Sequence, residues 1–315
     1  MPPRHRTGRP GALTDARREP PLLVVVGVDH LGAEVARLAL GHGDDPTTLL
    51  ATHGWEVRRA RDIASETGEM GETHVLTMTF VVEPLIAASH LSAAHLPAAP
   101  EQWVDTRRDH GLVLSEGEVP RPHQRVAAYA LVTSSRGVLM TQFSDATNAA
   151  GRWGLPGGGI EGGEAPELAV VREAWEESGQ VIEVRELALV QTSHWIGRAP
   201  TGRLEDFHAV RIVYRAVCPG PTEPVVHDVG GTTASAAWVS PADLGRLDVT
   251  TSWRSLLSLV VMAPDEADGP NHYKHGADDD DPARPQRCPV DLPRHRLVGD
   301  DQPGENEGNK PQHNG

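Results

Sequence analysis

The chain has 315 residues, 38% of them apolar and 23% charged, a globular composition with room for two domains. Its formal net charge of −15 excludes the basic footprint expected of a nucleic-acid backbone binder, so no nucleic-acid polymer is expected as partner. Cys218 and Cys288 are too few and too far apart for a disulfide framework, and no apolar run approaches the roughly 18 residues that span a bilayer.

Residues 1–20 carry Arg4, Arg6, Arg9, Arg17 and Arg18 among prolines and read as a disordered arm. No apolar core follows this basic start, so it is not a secretory signal, and a reducing, cytoplasmic setting is expected. Residues 22–28 read as a buried strand. Residues 31–40 read as a helix with Leu31, Val35, Leu38 and Ala39 on one side. Gly27 and Gly32 invite comparison with a dinucleotide-binding turn, but Asp29 stands where that pattern needs glycine. A short helix is expected at 47–52 after Asp45-Pro46, then a strand at 55–61. Residues 73–82 alternate, with Leu76, Met78 and Phe80 on one face and Val75, Thr77 and Thr79 on the other. Pro84 ends that strand and 85–96 reads as helical. Residues 21–96 thus form a small α+β domain suited to positioning a substrate, making homodimer contacts or binding a regulator. Its histidines, among them His30, His53, His74, His90 and His95, lack metal-ligand spacing. Residues 97–122 read as a linker.

Strands are expected at 125–133 and 137–143, joined by a turn at Ser134-Ser135-Arg136-Gly137, with a polar loop at 144–151. A glycine-rich loop at 157–159 then runs into a helix bracketed by Pro166 at its first turn and Gly179 just past its end. With about 100° per residue and Glu173 at zero, Glu177 lies about 40° to one side and Glu176 about 60° to the other. Leu168, Val171 and Trp175 cluster near the opposite pole, with Ser178 and Ala174 beside them, and this face is expected to dock on the core. Carboxylates at such spacing repel one another, and Glu176 and Glu177 sit where the helix dipole disfavours anions. A cation relieves both penalties, and hard oxygen ligands suit Mg2+, with Mn2+ as the alternative. Further on come a strand at 181–193, a loop at 196–206, a strand at 207–218, a loop at 219–233 and a strand at 234–239. A brief helix from Ser240 through Leu244 and a last helix from Ser252 to Met262 follow. Residues 263–315, with Asp278 to Asp281, read as a disordered acidic tail.

Gly158, five residues, Glu164, seven residues, then Arg172-Glu173-Ala174-Trp175-Glu176-Glu177-Ser178-Gly179 resembles the Nudix box. Trp153 to Gly159 is similar to the family's lead-in. Gln180 departs from the pattern, which has an aliphatic residue there; Val181 is expected to take over its packing. The resemblance implies, for residues 123–262, an α+β fold of the Nudix type, an α/β/α sandwich with a mixed sheet. It implies a Mg2+-dependent hydrolase acting on the pyrophosphate of a nucleoside diphosphate linked to another group, hence a nucleotide-type small-molecule partner. Glu173, Glu176, Glu177 and Glu164 are then the metal ligands. Glu173, Glu176 and Arg172 carry the catalysis, Arg172 by fixing a glutamate through an ion pair. Gly158 and Gly159 let the backbone approach the substrate, and Trp195 offers a ring for a base. Glu173, Glu176, Glu205, Asp206 and Asp228 are the candidates for general base. The competing expectation is a nucleotide-sensing module that acts through the N-terminal unit. An isoprenoid diphosphate isomerase would want a cysteine and a glutamate flanking the substrate, and only Cys218 is at hand.

Overall fold

The computed structural model describes residues 20–68, 73–85, 107–109, 111–228, 230–250, 253, 254 and 257. The aliphatic run Leu22–Val28 is strand β1, buried over most of its length. The helix expected at 31–40 is instead strand β2, Glu34–Ala39, paired antiparallel with β1. The cause is local. Asp29 Oδ1 accepts from the backbone N–H groups of Leu31 (2.9 Å) and Ala33 (2.8 Å), and Gly32 takes φ +87°. This side-chain-closed turn with a left-handed glycine sends the chain back along β1 before a helix can start.

Helix α1, Pro46–Thr52, forms as expected, capped by Asp45, whose Oδ1 accepts from Thr48 N at 2.8 Å. Strand β3, Trp55–Thr67, runs past the expected end at 61, and β4, His74–Pro84, buries Leu76, Met78, Phe80 and Val82 on one face as the alternation predicts. The four strands are ordered β2-β1-β4-β3, with β1 and β4 parallel. Beyond Leu85, the expected helix at 85–96 lies outside the described residues, as do the arm up to residue 19 and the acidic tail.

The second sheet is mixed. It comprises β5 (Arg107–Arg108), β6 (Arg121–Ser134), β7 (Gly137–Phe143), β8 (Trp153–Gly154), β9 (Gly157–Gly159), β10 (Glu183–Arg198), β11 (Leu204–Val217) and β12 (Thr233–Val239). Its main path is β12-β7-β6-β11-β10-β5, with β8 on β7 and β9 on β6. Strand β6 starts at Arg121, inside the stretch read as linker. The loop expected at 196–206 is a hairpin. Ile196 to Arg198 continue β10, and Leu204 to Asp206 begin β11. Only a tight turn separates them, closed by Ala199 N to Arg203 O at 2.9 Å with Gly202 at φ +81°. Trp195 and Ile196 also pair with Arg107 and Arg108, so ladder partners on both sides outweigh the glycine-rich composition. The brief helix expected from Ser240 is a turn followed by a 3-10 turn at Leu244–Arg246. Trp253, Arg254 and Leu257 are helical, and the rest of that expected helix lies outside the described residues.

Helix α2, Pro166–Ser178, has the expected bounds, with Pro166 in its first turn and Gly179 at φ +68° after its end. Its orientation meets the expectation in part, with Ala174 and Ser178 buried and Val171 packed on the core. Leu168 is exposed, while Ala169, Val170, Ala174 and Ser178 are buried together with Glu177. The small residues let the helix lie close on β6 and turn its acidic flank towards the glycine strand rather than away from it. One buried cluster joins Val25, Met78 and Phe80 of the first sheet and Leu50 of α1 to Val126, Val210 and Ile212 of the second sheet and to Ala169, Val170 and Ala174 of α2. A second cluster on the other face of the larger sheet joins Leu131, Met140 and Val213 to Trp253 and Leu257. Continuous burial of this kind is the main source of stability available to the two sheets.

Gln180 itself fills the interior, 1% exposed, and Val181 is half exposed, so the expected exchange of packing roles does not occur. The Gln180 amide is satisfied. Nε2 donates to Ser178 O and Thr222 Oγ1, both at 3.0 Å, and Oε1 accepts from Thr222 N at 3.0 Å. Gln180→Leu leaves the Thr222 N–H without its acceptor and is expected to cost about 1–3 kcal/mol, read by urea unfolding. A neutral or stabilising result would show that the loop at 219–232 closes without this bond. Cys218 is buried beside Gln180, and burial pushes its thiol above the ordinary value, in keeping with a packed residue rather than a nucleophile.

Candidate active site

The site is built where β9 meets α2. Strand β9 pairs with β6 through Gly157↔Tyr129, Gly158↔Ala128 and Gly159↔Ala127. Two glycines are required here for different reasons. Gly157 takes φ +144°, and any Cβ there would strike the backbone of Ala128 and Tyr129. A Cβ on Gly158 would strike the carboxylate of Glu173, so the bare backbone lets that acid lie flat on the strand.

Arg172 is the hub. Its Nε and Nη2 grip Glu164 through Oε1 (2.8 Å) and Oε2 (2.9 Å) as a two-pronged pair. Nη1 reaches Glu173 Oε1 (3.0 Å) and Glu176 Oε2 (3.1 Å), and Nη2 also donates to Gly159 O (3.1 Å). The bidentate partner is thus Glu164 in the loop, while the helix acids take single bonds. Burial works against the charge on Glu164, but Arg172 and the Glu161 N–H outweigh it and hold its carboxyl below the ordinary value. Glu173 goes the other way. Its burial dominates the pull of Arg172, with Glu176 adding repulsion, and its pKa rises. Glu176 is the most open of these acids, with 36% of its side chain exposed.

Glu177 points elsewhere. It is 5% exposed, its Oε2 accepts from Gly157 N at 2.9 Å, and its Oε1 accepts from Thr233 Oγ1 at the start of β12. Burial pushes its pKa up to about 7, against the two hydrogen bonds and with help from the charges of Glu173 and Asp228. Three of the four expected acids therefore gather on Arg172, and Glu177 stands on the inner side of the glycine strand. Among the described residues, no three of these carboxylates offer oxygens within 4.8 Å of one another. The donors are hard oxygens throughout, which fits Mg2+ or Mn2+ by chemistry, with Arg172 supplying the positive charge that the cluster otherwise lacks.

The candidates for general base separate in space. Asp228 lies in the loop that closes on α2, where the N–H groups of His227 and Asp228 donate to Glu176 O at 2.7 and 3.0 Å, and its charge acts on Glu177. Glu205 is buried on β11, bound by His123 Nδ1 at 3.0 Å and by Arg203, which hold its carboxyl below the ordinary value against the effect of burial. Asp206 faces the opposite side of the sheet, beside His194. Both lie on a strand, not in a loop.

One face of the second sheet was not anticipated. Alternate residues of β6, β11 and β10 place Arg125 and Tyr129, Phe207 and Arg211, and Gln191, Ser193 and Trp195 on the same side. Arg211 donates to Ser193 Oγ at 3.1 Å, and burial first, then Arg125, weighs against its charge. Gln191 Oε1 is buried without a hydrogen-bond partner. Trp195, half-buried, lies tilted on Phe207 with ring centroids 4.6 Å apart, within the strand rather than at its end. Arginines at in-facing positions of otherwise apolar strands were the available sequence signal. A separate cavity of about 490 Å³, lined by Gln142, Phe143, Ser144, Gly230, Gly231 and neighbours, opens between the end of β7 and the loop before β12.

A glycine strand backing a helix of glutamates gathered by an arginine, on a mixed sheet, is the build of an enzyme that handles dense negative charge. Residues 123–258 match the NUDIX domain, and over that stretch the chain belongs to the Nudix family and is a hydrolase acting on phosphoric anhydrides. It is 29% identical over 140 residues to the Nucleoside triphosphatase NudI of Escherichia coli O139:H28 (strain E24377A / ETEC), an alignment covering 43% of this chain and 96% of that protein. The crystal structure of MutT NUDIX hydrolase from Burkholderia pseudomallei is 30% identical and is matched over 98% of its length and 44% of this chain, with a TM-score of 0.33. The MutT protein of Methanosarcina mazei Go1 is 21% identical, matched over 97% of its length and 46% of this chain, with a TM-score of 0.36. Among the described residues, no helix is long and apolar enough to cross a membrane.

Proposed function

We propose that this chain is a Mg2+-dependent hydrolase of a nucleoside diphosphate linked to another group, a class that includes nucleoside triphosphates, acting in the cytoplasm. The observation that carries this reading is the gathering of Glu164, Glu173 and Glu176 around Arg172 against the bare backbone of Gly158 and Gly159. Glu173 and Glu176, with Glu177 and Glu164, would hold the cation, Mn2+ being the alternative. When bound, it neutralises the diphosphate and lowers the pKa of an attacking water. Arg172 keeps the acids from scattering under their own repulsion. Arg125 and Arg211, which share one sheet face with Trp195 and Phe207, would take phosphate oxygens, and the two rings a base. Asp228, whose charge acts on the buried Glu177, is the general-base candidate outside the box; Glu173 and Glu176 keep that role open within it. The name of the Escherichia coli relative supports a nucleoside triphosphate among the substrates.

The test is a panel of nucleoside triphosphates and nucleoside diphosphate sugars, incubated with the purified full chain and Mg2+ and followed by 31P NMR. Release of a phosphate-containing product that stops with EDTA is expected. A folded protein that releases none from any member sinks the proposal, and tight binding without turnover points to the sensing module instead.

A further inference from the structure

Away from the glutamates, three residues from three elements converge. His42 lies in the loop between β2 and α1, His194 on β10 and Asp206 on β11, and one ligand atom from each falls within 4.8 Å of the others. His194 Nε2 is 2.5 Å and His42 Nε2 is 3.5 Å from the same oxygen, Asp206 Oδ1. The two imidazoles stand edge to face with centroids 5.2 Å apart. Each of the three side chains is about one-quarter exposed, so the group opens to solvent without being a free surface.

The surroundings hold these groups in place. The register sets Asp206 opposite Ile196 and His194 opposite His208, which puts Asp206, His194 and His208 on one face. Gly43 at φ +85° packs on the Nδ1 and Cε1 edge of His194, leaving Nε2 as the edge turned to Asp206. The loop carrying His42 is pinned on both sides. Asp44 Oδ2 accepts from Gly41 N at 2.8 Å, and Asp45 Oδ2 accepts from Thr192 Oγ1 of β10 at 2.9 Å. His208, with no exposed surface, lies in ring contact with both His42 and His194, its Nδ1 stands 3.0 Å from Gln124 Oε1, and the backbone of Asp44, in the loop that carries His42, acts on the same ring.

We propose that His42, His194 and Asp206 form a second metal site, for a borderline divalent ion of the zinc class, that ties the loop ahead of α1 to the β10–β11 hairpin. Two imidazoles with one carboxylate select such an ion over the magnesium class, which prefers oxygen alone. Donors about 2.0–2.1 Å from a tetrahedral zinc stand roughly 3.3 Å apart. The 3.5 Å separation of His42 and Asp206 already meets this, and the 2.5 Å contact of His194 with Asp206 would open by under an ångström to admit the ion. Three protein ligands leave a fourth position that a water would fill. The site is independent of the glutamate cluster and of the reaction proposed for it.

The experiment uses the full chain without a histidine tag, carrying Glu173→Gln and Glu176→Gln so that the box does not compete. Zn2+ alone is titrated against a chromophoric chelator, and Co2+ serves as a visible stand-in. One Zn2+ per chain is expected, with a Co2+ spectrum showing nitrogen ligation. His42→Ala, a change in an exposed loop, is expected to weaken Zn2+ at least about 100-fold, and His194→Gln likewise, since even supporting residues of metal sites cost 10–100-fold. His53→Ala is expected to change nothing, and Zn2+ is expected to raise the melting temperature of the parent but not of His42→Ala. Failure of the parent to take up Zn2+, or equal uptake by a folded His42→Ala, overturns the proposal and leaves only a histidine–aspartate ion pair. Neither result bears on hydrolysis, because no substrate is present.

Discussion

Glu173→Gln is expected to lower kcat by about 10²–10⁴-fold on whichever nucleotide the panel identifies, with the fold intact and KM moved far less. Gln has the same shape and keeps an oxygen for Arg172 Nη1, so the packing against Gly158 survives. The negative charge does not. It is an unfavourable charge in the resting protein, since burial and Glu176 outweigh Arg172 in raising its pKa. Maintaining a strained charge at this spot is reasonable only if a cation or the proton of a water is to be handled there. Steady-state kinetics with Mg2+, alongside melting curves, give the answer. A variant that turns over at nearly the parental rate removes Glu173 from the machinery, and one that is slow merely because it unfolds is recognised from its melting curve.

The second large effect has opposite signs in stability and activity. Glu177→Gln is expected to stabilise the metal-free protein at neutral pH while abolishing most of its turnover. The carboxyl has an ordinary value of 4.5 and is pushed to about 7 in the fold. Between those values the folded state holds a proton that the unfolded chain has lost. The stability contributed by this group is therefore complete below about pH 4.5 and is lost as pH rises through about 7. Gln mimics the protonated form at every pH, accepting from the Gly157 N–H through its oxygen and donating to Thr233 Oγ1 through its amide. The gap between variant and parent should be near zero at about pH 4.5, grow to roughly 3 kcal/mol at most near pH 8, and level off. Urea unfolding in EDTA across that range measures it. A gap that does not vary with pH would mean that the Glu177 proton is not held by the fold.

Much of the box was legible because its signals are local. Proline in the first turn, a left-handed glycine after the last and charged residues at helical spacing place α2 correctly to the residue. Its rotation was legible only in part. Val171, Ala174 and Ser178 turn to the core as their spacing suggests, but the helix lies close enough on β6 to bury Ala169 and Val170 as well and to leave Leu168 exposed. The same limit applies at 31–40, where apolar spacing argued for a helix and a single aspartate side chain closing on Leu31 and Ala33 made a hairpin. At 196–206, glycine and proline suggested a loop, yet pairing on both edges of β10 extended the strands.

The linear order of residues, by itself, determined the chemistry on offer: hard oxygens and an arginine on one helix, bare backbone before it, and a family membership that follows from their spacing. Which of those oxygens face Arg172 and which one is buried against Thr233 was decided only by the packing of α2, because small side chains set how closely and at what angle a helix lies on a sheet. The meeting of His42, His194 and Asp206 belongs wholly to the tertiary structure. Their spacing along the chain carries no ligand pattern, and only the docking of a loop of the first sheet onto a hairpin of the second brings their nitrogens and oxygen together.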